Sequence, residues 1–133
     1  MLFLRSDQLE FMHKHVEACL PNEGCGLIGG KNGCAELLLT VTNSDHSPIT
    51  FDMDAQELLS AHLAFEEAGL ELAAIFHSHP DGPAVPSETD VRASIYHPGV
   101  ISVILVKEGK EWRTRAYQID GEGYKQVEIK EYQ

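Results

Sequence analysis

His77 and His79 flank one residue in His77-Ser78-His79, directly after the apolar run Leu72 to Phe76. Alternate residues of a strand point to the same side, so the two imidazoles can converge on one ion. Three Pro and one Gly among the seven residues Pro80 to Pro86 exclude regular structure and turn the chain back. Ser87-Glu88-Thr89-Asp90 then reads as a helix start with Ser87 as N-cap, which returns the Asp90 carboxylate towards the strand end. Two His and one Asp are suitable zinc ligands and leave a fourth tetrahedral position for water, the arrangement of a catalytic and not a structural zinc. Such an ion lowers the pKa of water to about 7 and polarises a carbonyl. The chemistry would be hydrolysis, with a nearby Glu to take a proton from water and return it to a leaving amine. Composition does not say which Glu.

The other five His carry no such pattern. His13 and His15 lie two apart on a predicted helix and face different ways, so they cannot chelate together. His62 is expected on or beside an apolar helix stripe, satisfied by a neighbour. His46 and His97 sit beside Pro-containing loops. Cys25 reads as a small buried strand residue, and Trp112 and Tyr117 as strand packing.

The elements that must position these residues follow from periodicity and turn chemistry. Leu2 to Leu4 is a short first strand. Asp7 with Glu10 fits a capping box, and Leu9, Met12 and Val16 recur at helical spacing until Pro21. Cys25 to Gly29 and Ala35 to Thr42 are strands joined by a turn at Lys31-Asn32-Gly33. Ile49 to Phe51 is a candidate brief strand. Asp54 caps a helix carrying Leu58, Leu59, His62, Leu63 and Phe65, closed by Gly69. Leu72 to Phe76 reads as a strand buried on both faces. Val100 to Val106, Trp112 to Ile119 and Tyr124 to Ile129 form a predicted antiparallel meander. The sum is a mixed α/β chain of about seven strands and two or three helices, expected as one domain over residues 1–133.

With 133 residues, 43% of them hydrophobic and 23% charged, the chain can bury a core and is not disordered. Its net charge of −11 argues against a nucleic-acid backbone or an anionic membrane surface as partner. That charge is uneven: residues 32–91 hold eleven acids and no Lys or Arg. The acidic stretch is either a solvated face or, through Glu66 and Glu67, a surface that steers a basic patch on a partner. Met1-Leu2-Phe3-Leu4 is too short for a signal-peptide core or a membrane span. Three Cys with no C-x-x-C pair point to a reducing cytoplasm and no disulfide framework.

The run His77-Ser78-His79-Pro80, the spacer to Pro86, Ser87 and Asp90 resembles the JAMM motif of MPN-type metalloproteases. Upstream, Pro21-Asn22-Glu23-Gly24-Cys25-Gly26-Leu27-Ile28-Gly29 is similar to that family's segment bearing the catalytic Glu. The resemblance covers roughly residues 3 to 106 and describes the small prokaryotic type. It implies a mainly antiparallel, curled sheet flanked by helices, the MPN fold, which is cytidine-deaminase-like. It also implies roles: His77, His79 and Asp90 as ligands of one catalytic zinc, Glu23 as general base, and Ser87 as hydrogen-bond donor to the oxyanion. Ser78 would bond locally. The implied work is hydrolysis of an amide or isopeptide bond after the C-terminal glycine of a ubiquitin-like or sulfur-carrier protein ending in Gly-Gly. The long insertions of polyubiquitin-cleaving members are missing, so linkage-specific cleavage is not expected. Two other readings stay open: a non-catalytic MPN scaffold module, and a JAMM peptidase acting on an unrelated peptide such as a cell-wall peptide. Neither the carrier nor the oligomeric state, a homodimer included, is legible.

Overall fold

The computed structural model describes residues 1–133. In chain order the elements are β1 (Leu2–Arg5), α1 (Ser6–Cys19), β2 (Cys25–Lys31), β3 (Cys34–Val41), α2 (Ala55–Ala68), β4 (Glu71–His79), α3 (Glu88–Ala93), a 3₁₀ turn (Ser94–Tyr96), β5 (Ile101–Glu108), β6 (Glu111–Asp120), β7 (Gly123–Val127) and β8 (Ile129–Tyr132). All eight strands join one sheet in the order β7-β6-β5-β4-β2-β3-β1-β8. Four neighbouring pairs are antiparallel, and three, β1–β3, β1–β8 and β4–β5, are parallel.

The expected mixed, curled sheet is thus present, with eight strands where the sequence suggested about seven. The difference lies at the C-terminus. The predicted strand Tyr124 to Ile129 is two strands that break at Glu128, one pairing with β6 and the other with β1. These two strands are the opposite ends of the sheet order, yet a single residue separates them. The sheet therefore curls until its two edges meet at Glu128, whose carbonyl accepts from Leu2 N at 2.9 Å. Ile49 to Phe51 is not a strand; this stretch holds only an isolated bridge between Asn43 and Met53. Asn43 explains it, because its side-chain oxygen accepts from both Asp45 N and Asp52 N and fixes the loop locally.

Inside the curl lies α1. Its Met12 and Val16 pack with Leu2, Leu4, Phe76 and Leu105 in the main core. Capping differs from the expected Asp7–Glu10 pair. Arg5 is the N-cap, Gln8 Oε1 accepts from Arg5 N at 2.8 Å, and Asp7 pairs with the Arg5 guanidinium. The core needs Gly26, since a Cβ there would lie 2.3 Å from the Phe76 ring.

The opposite face of the sheet is covered by α2. Asp54 caps it by accepting from Glu57 N at 2.9 Å, and Gly69, at φ 70°, closes it in the left-handed region that glycine tolerates best. The buried stripe of α2 is Ala61 and Phe65 with Leu58 partly buried, packed on Cys25, Leu27 and Val41. Leu59, His62 and Leu63 face solvent, contrary to the stripe read from the sequence. Strand β4 is also not buried on both faces throughout: Glu71 is exposed and burial becomes complete only from Phe76 onward.

Candidate metal centre and cleft

Alternation along β4 builds the site. Ala74 and Phe76 point into the α1 core, so Ile75, His77 and His79 point to the other face. Strand β2 runs antiparallel to β4 with Cys25 opposite His77. The residue two before Cys25, Glu23, therefore arrives beside His79. Two bonds fix that approach: Ser78 N donates to Gly24 O at 2.9 Å, and Gly24 N donates to Ser78 Oγ at 2.8 Å. Ser78 does not bond locally as expected. It ties strands 54 residues apart in sequence, and only the pairing of β2 with β4 could reveal it. Asn43 adds a third hold, its Nδ2 donating to Glu23 O at 3.1 Å and to Thr50 O at 3.0 Å.

The Pro-rich loop returns Asp90 to the same point. Ser87 and Asp90 form a reciprocal capping box: Ser87 Oγ accepts from Asp90 N at 3.0 Å, and Asp90 Oδ2 accepts from Ser87 N at 2.9 Å. Tyr117 Oη donates to Ala84 O and, with Ile104 and Val106, pins the loop through Ala84 and Val85. Tyr117 thus does more than strand packing, a role the sequence did not disclose.

His77 Nε2 and His79 Nε2 lie 3.1 Å apart, and Asp90 Oδ2 lies 3.2 and 3.3 Å from them. The ligand atoms of Glu23, His77 and His79 all fall within 4.8 Å of one another. All five residues singled out in the sequence therefore meet. The donor set fits a divalent cation. His79 donates from Nδ1 to Pro83 O at 2.8 Å, so loss of the Nε2 proton gives a neutral ring that presents the Nε2 lone pair to an ion. His77 stacks on Phe51, with centroids 4.6 Å apart, so its ring is held flat while Nε2 faces the cluster. Glu23 Oε1 is buried with no hydrogen-bond partner, the kind of orphaned acceptor a bound ion or water satisfies.

Burial raises the Glu23 carboxyl pKa to about 7; His79 opposes this and Asp90 adds to it. For Asp90 burial acts upward, but hydrogen bonds from His77 and His79 and from the Ser87 amide hold it well below the usual range. For His79 burial acts downward, and Asp90 with the Pro83 carbonyl outweighs it, so the net shift is upward. A Glu23 carboxyl poised near neutrality beside a charged Asp90 separates two carboxylates by environment, as acid–base chemistry requires.

The other candidates are explained away. Cys25 is buried, donates to Val41 O, and burial pushes its thiol up to about 12, so it is no nucleophile. His13 bonds Thr114 and His15 bonds the Cys25 carbonyl, on different sides of α1. His62 is exposed and lines the cleft described next; it does not lie on the buried stripe.

A cleft of about 270 Å³ opens at the cluster, with Glu23, His77, Ser87 and Asp90 among its lining residues. Leu58 and His62 of α2 line it, as do Ser94 and His97 beyond α3, with Ile75 and Ser102 contributed by β4 and β5.

A curled mixed sheet, an H-x-H strand end and a returning Asp define a JAMM/MPN-type peptidase. Residues 6–120 match the family described as prokaryotic homologues of the JAB domain, and the chain belongs to that family. It is 34% identical over 119 residues to a probable TtuB-protein conjugate cleaving protease of Thermus thermophilus, covering 84% of this chain and 80% of that one. It is 29% identical over 121 residues to the CysO-cysteine peptidase of Mycobacterium tuberculosis, covering 90% and 83%. The solution structure of a Desulfitobacterium hafniense protein superposes with a TM-score of 0.88 at 33% identity, covering 100% of this chain and 94% of that one.

Proposed function

We propose that residues 1–133 form a single catalytic domain that hydrolyses the bond after the C-terminal glycine of a ubiquitin-like or sulfur-carrier protein. The observation that carries this reading is the meeting of Glu23, His77, His79 and Asp90 at the cleft. The relatives named for cleaving TtuB conjugates and CysO–cysteine support the substrate class. His77, His79 and Asp90 would hold one zinc. Zinc there would polarise the scissile carbonyl and lower the pKa of a water to about 7.

Glu23 takes the proton of the attacking water and delivers it to the leaving amine. Its pKa near 7 suits both halves of that exchange at neutral pH. Ser87 Oγ already accepts from Asp90 N, so its hydroxyl proton is free to donate to the developing oxyanion. The cleft, at about 270 Å³, sits at the small end of ligand pockets (roughly 300–1,000 Å³). That size favours a tail without side chains, such as Gly-Gly. No helix is long and apolar enough to cross a membrane, and we place the reaction in the cytoplasm.

The test is metal content and hydrolysis of CysO–cysteine and of a TtuB conjugate. One zinc per chain is expected, with turnover lost on chelation, restored by zinc, and lost in Glu23→Gln. Turnover that survives both chelation and Glu23→Gln would overturn the mechanism. Zinc binding without turnover of any carrier would favour the scaffold reading.

A further inference from the structure

The stretch from Pro80 to Pro86 runs between His79 and the capping box that carries Asp90, and it lies outside every helix and strand. One backbone bond ties it to β4, from Gly82 N to His79 O at 2.9 Å. Side chains supply the rest of its fixation. Ala84 and Val85 pack on Ile104 and Val106. Two consecutive carbonyls are held: Pro83 O accepts from His79 Nδ1 at 2.8 Å, and Ala84 O accepts from Tyr117 Oη.

Both donors are rooted in one sheet. His79 ends β4 opposite Val106 of β5, and Tyr117 of β6 lies opposite Ser102 of the same strand. Tyr117 is buried beside Ile104 and Val106 and meets the Tyr124 ring edge-on, with centroids 5.5 Å apart. Its hydroxyl is therefore a fixed point for the loop. The peptide unit between the two carbonyls is planar, so only the two backbone torsions of Ala84 separate them. Releasing the Ala84 carbonyl lets the Pro83 carbonyl shift. That carbonyl decides where the His79 ring points, because a ligating His is oriented by the partner of its second nitrogen. His79 Nε2 must stay near His77 Nε2, at 3.1 Å, and Asp90 Oδ2, at 3.3 Å, for the three donors to meet one ion.

We propose that Tyr117 is a positioning residue of the metal centre: its hydroxyl, through the Ala84 and Pro83 carbonyls, sets the aim of His79 and hence the affinity for the ion. Tyr117 is not among the residues lining the cleft, so it acts on the metal and not on substrate binding. The inference rests on the metal centre of the function proposed above and is independent of which carrier is cleaved.

The experiment titrates metal-free protein with zinc against a chromophoric chelator, so no substrate enters the first readout. Tyr117→Phe keeps the ring and removes only the hydroxyl; its zinc Kd should rise roughly 10–100-fold. The visible bands of the cobalt-substituted variant should differ from those of the wild type. Its turnover of CysO–cysteine should fall at limiting zinc and recover in excess zinc, with KM unchanged. Met12→Ala, in the α1 core on the other face of the sheet, is the control for lost stability: it should lower the melting temperature and leave the zinc Kd unmoved. A wild-type zinc Kd and cobalt spectrum in Tyr117→Phe overturn the proposal and leave Tyr117 a packing residue. An equal rise of Kd in Met12→Ala overturns it too, by making the effect one of stability alone. A raised KM that excess zinc does not restore places the hydroxyl at the substrate and overturns it as well. A wild type that binds zinc but turns over no carrier refutes the proposed hydrolysis, and the Kd comparison still decides the role of Tyr117. A wild type that binds no zinc refutes both.

Discussion

Strand β4 serves two regions that share a backbone and little else. On the α1 side, Ala74 and Phe76 lie in a closed apolar core, and Ser78 Oγ accepts from Gly24 N. On the α2 side, Ile75 lines a cleft, and His77 and His79 meet Asp90 and Glu23 at it. The first region is mostly apolar: Ser78 and Gln8 are hydrogen-bonded, and only Trp112 Nε1 at its margin lacks a partner. The second keeps an orphaned Glu23 oxygen and four titratable groups in near contact. The contrast teaches a division of labour in the second half of β4: Ala74, Phe76 and Ser78 hold the fold while His77 and His79 carry chemistry, whereas at the strand's start a register shift puts Leu72 on the α2 side with Ile75.

Substitutions on each side should separate cleanly. The largest effect falls on the site: Glu23→Gln should lower kcat on a carrier conjugate by roughly 10²–10⁴-fold with no loss of thermal stability, read by turnover and by scanning calorimetry. Next, Phe76→Ala on the core side should cost about 3–5 kcal/mol of unfolding free energy in urea, while surviving folded enzyme keeps its KM. A Phe76→Ala enzyme that is stable but inactive would break the division. Ser78→Ala probes the link between the regions. It strands the Gly24 amide, so a loss of about 1–3 kcal/mol is expected, together with a fall in kcat, since Gly24 adjoins Glu23. Asp54→Ala removes the α2 cap and should cost about 1 kcal/mol without altering the metal site, checked by zinc titration.

The smallest effect is a pH slope. Burial lowers the His15 pKa, opposed by its bond to the Cys25 carbonyl, and burial also lowers that of His13, opposed by Glu131. Both folded values lie below the ordinary histidine pKa of about 6.5, so the unfolded chain takes up more protons as pH falls. This contribution to stability is fully present above 6.5 and is lost as pH drops through the lowered folded values. Urea midpoints of the metal-free protein at pH 7.5 and 5.5 should differ less in His15→Gln than in the wild type.

Much of the site is legible along the chain because its parts are local. His77 and His79 share a strand face by alternation, and the Ser87–Asp90 capping box is a four-residue pattern. Glu23 was marked only through family resemblance. No local pattern distinguishes it from other Glu residues, since its place depends on β2 pairing with β4 at Cys25 and His77. The misreading of α2 has a similar cause. Leu59 and Leu63 keep helical spacing with Phe65's neighbours, and only the sheet decides which arc of the helix is covered.

Residue types and short spacings thus determined, by themselves, the strand that ends in two imidazoles, the helix start that carries Asp90, the acidic middle and the absence of long insertions. Tertiary structure decided the rest: the closure of the sheet at Glu128, the Ser78–Gly24 clamp, the Tyr117 hold on the Pro-rich loop, and which leucines of α2 meet water. The reason is physical. Alternation and capping are set by a few consecutive dihedrals, whereas pairing register and burial are set by segments far apart in the chain.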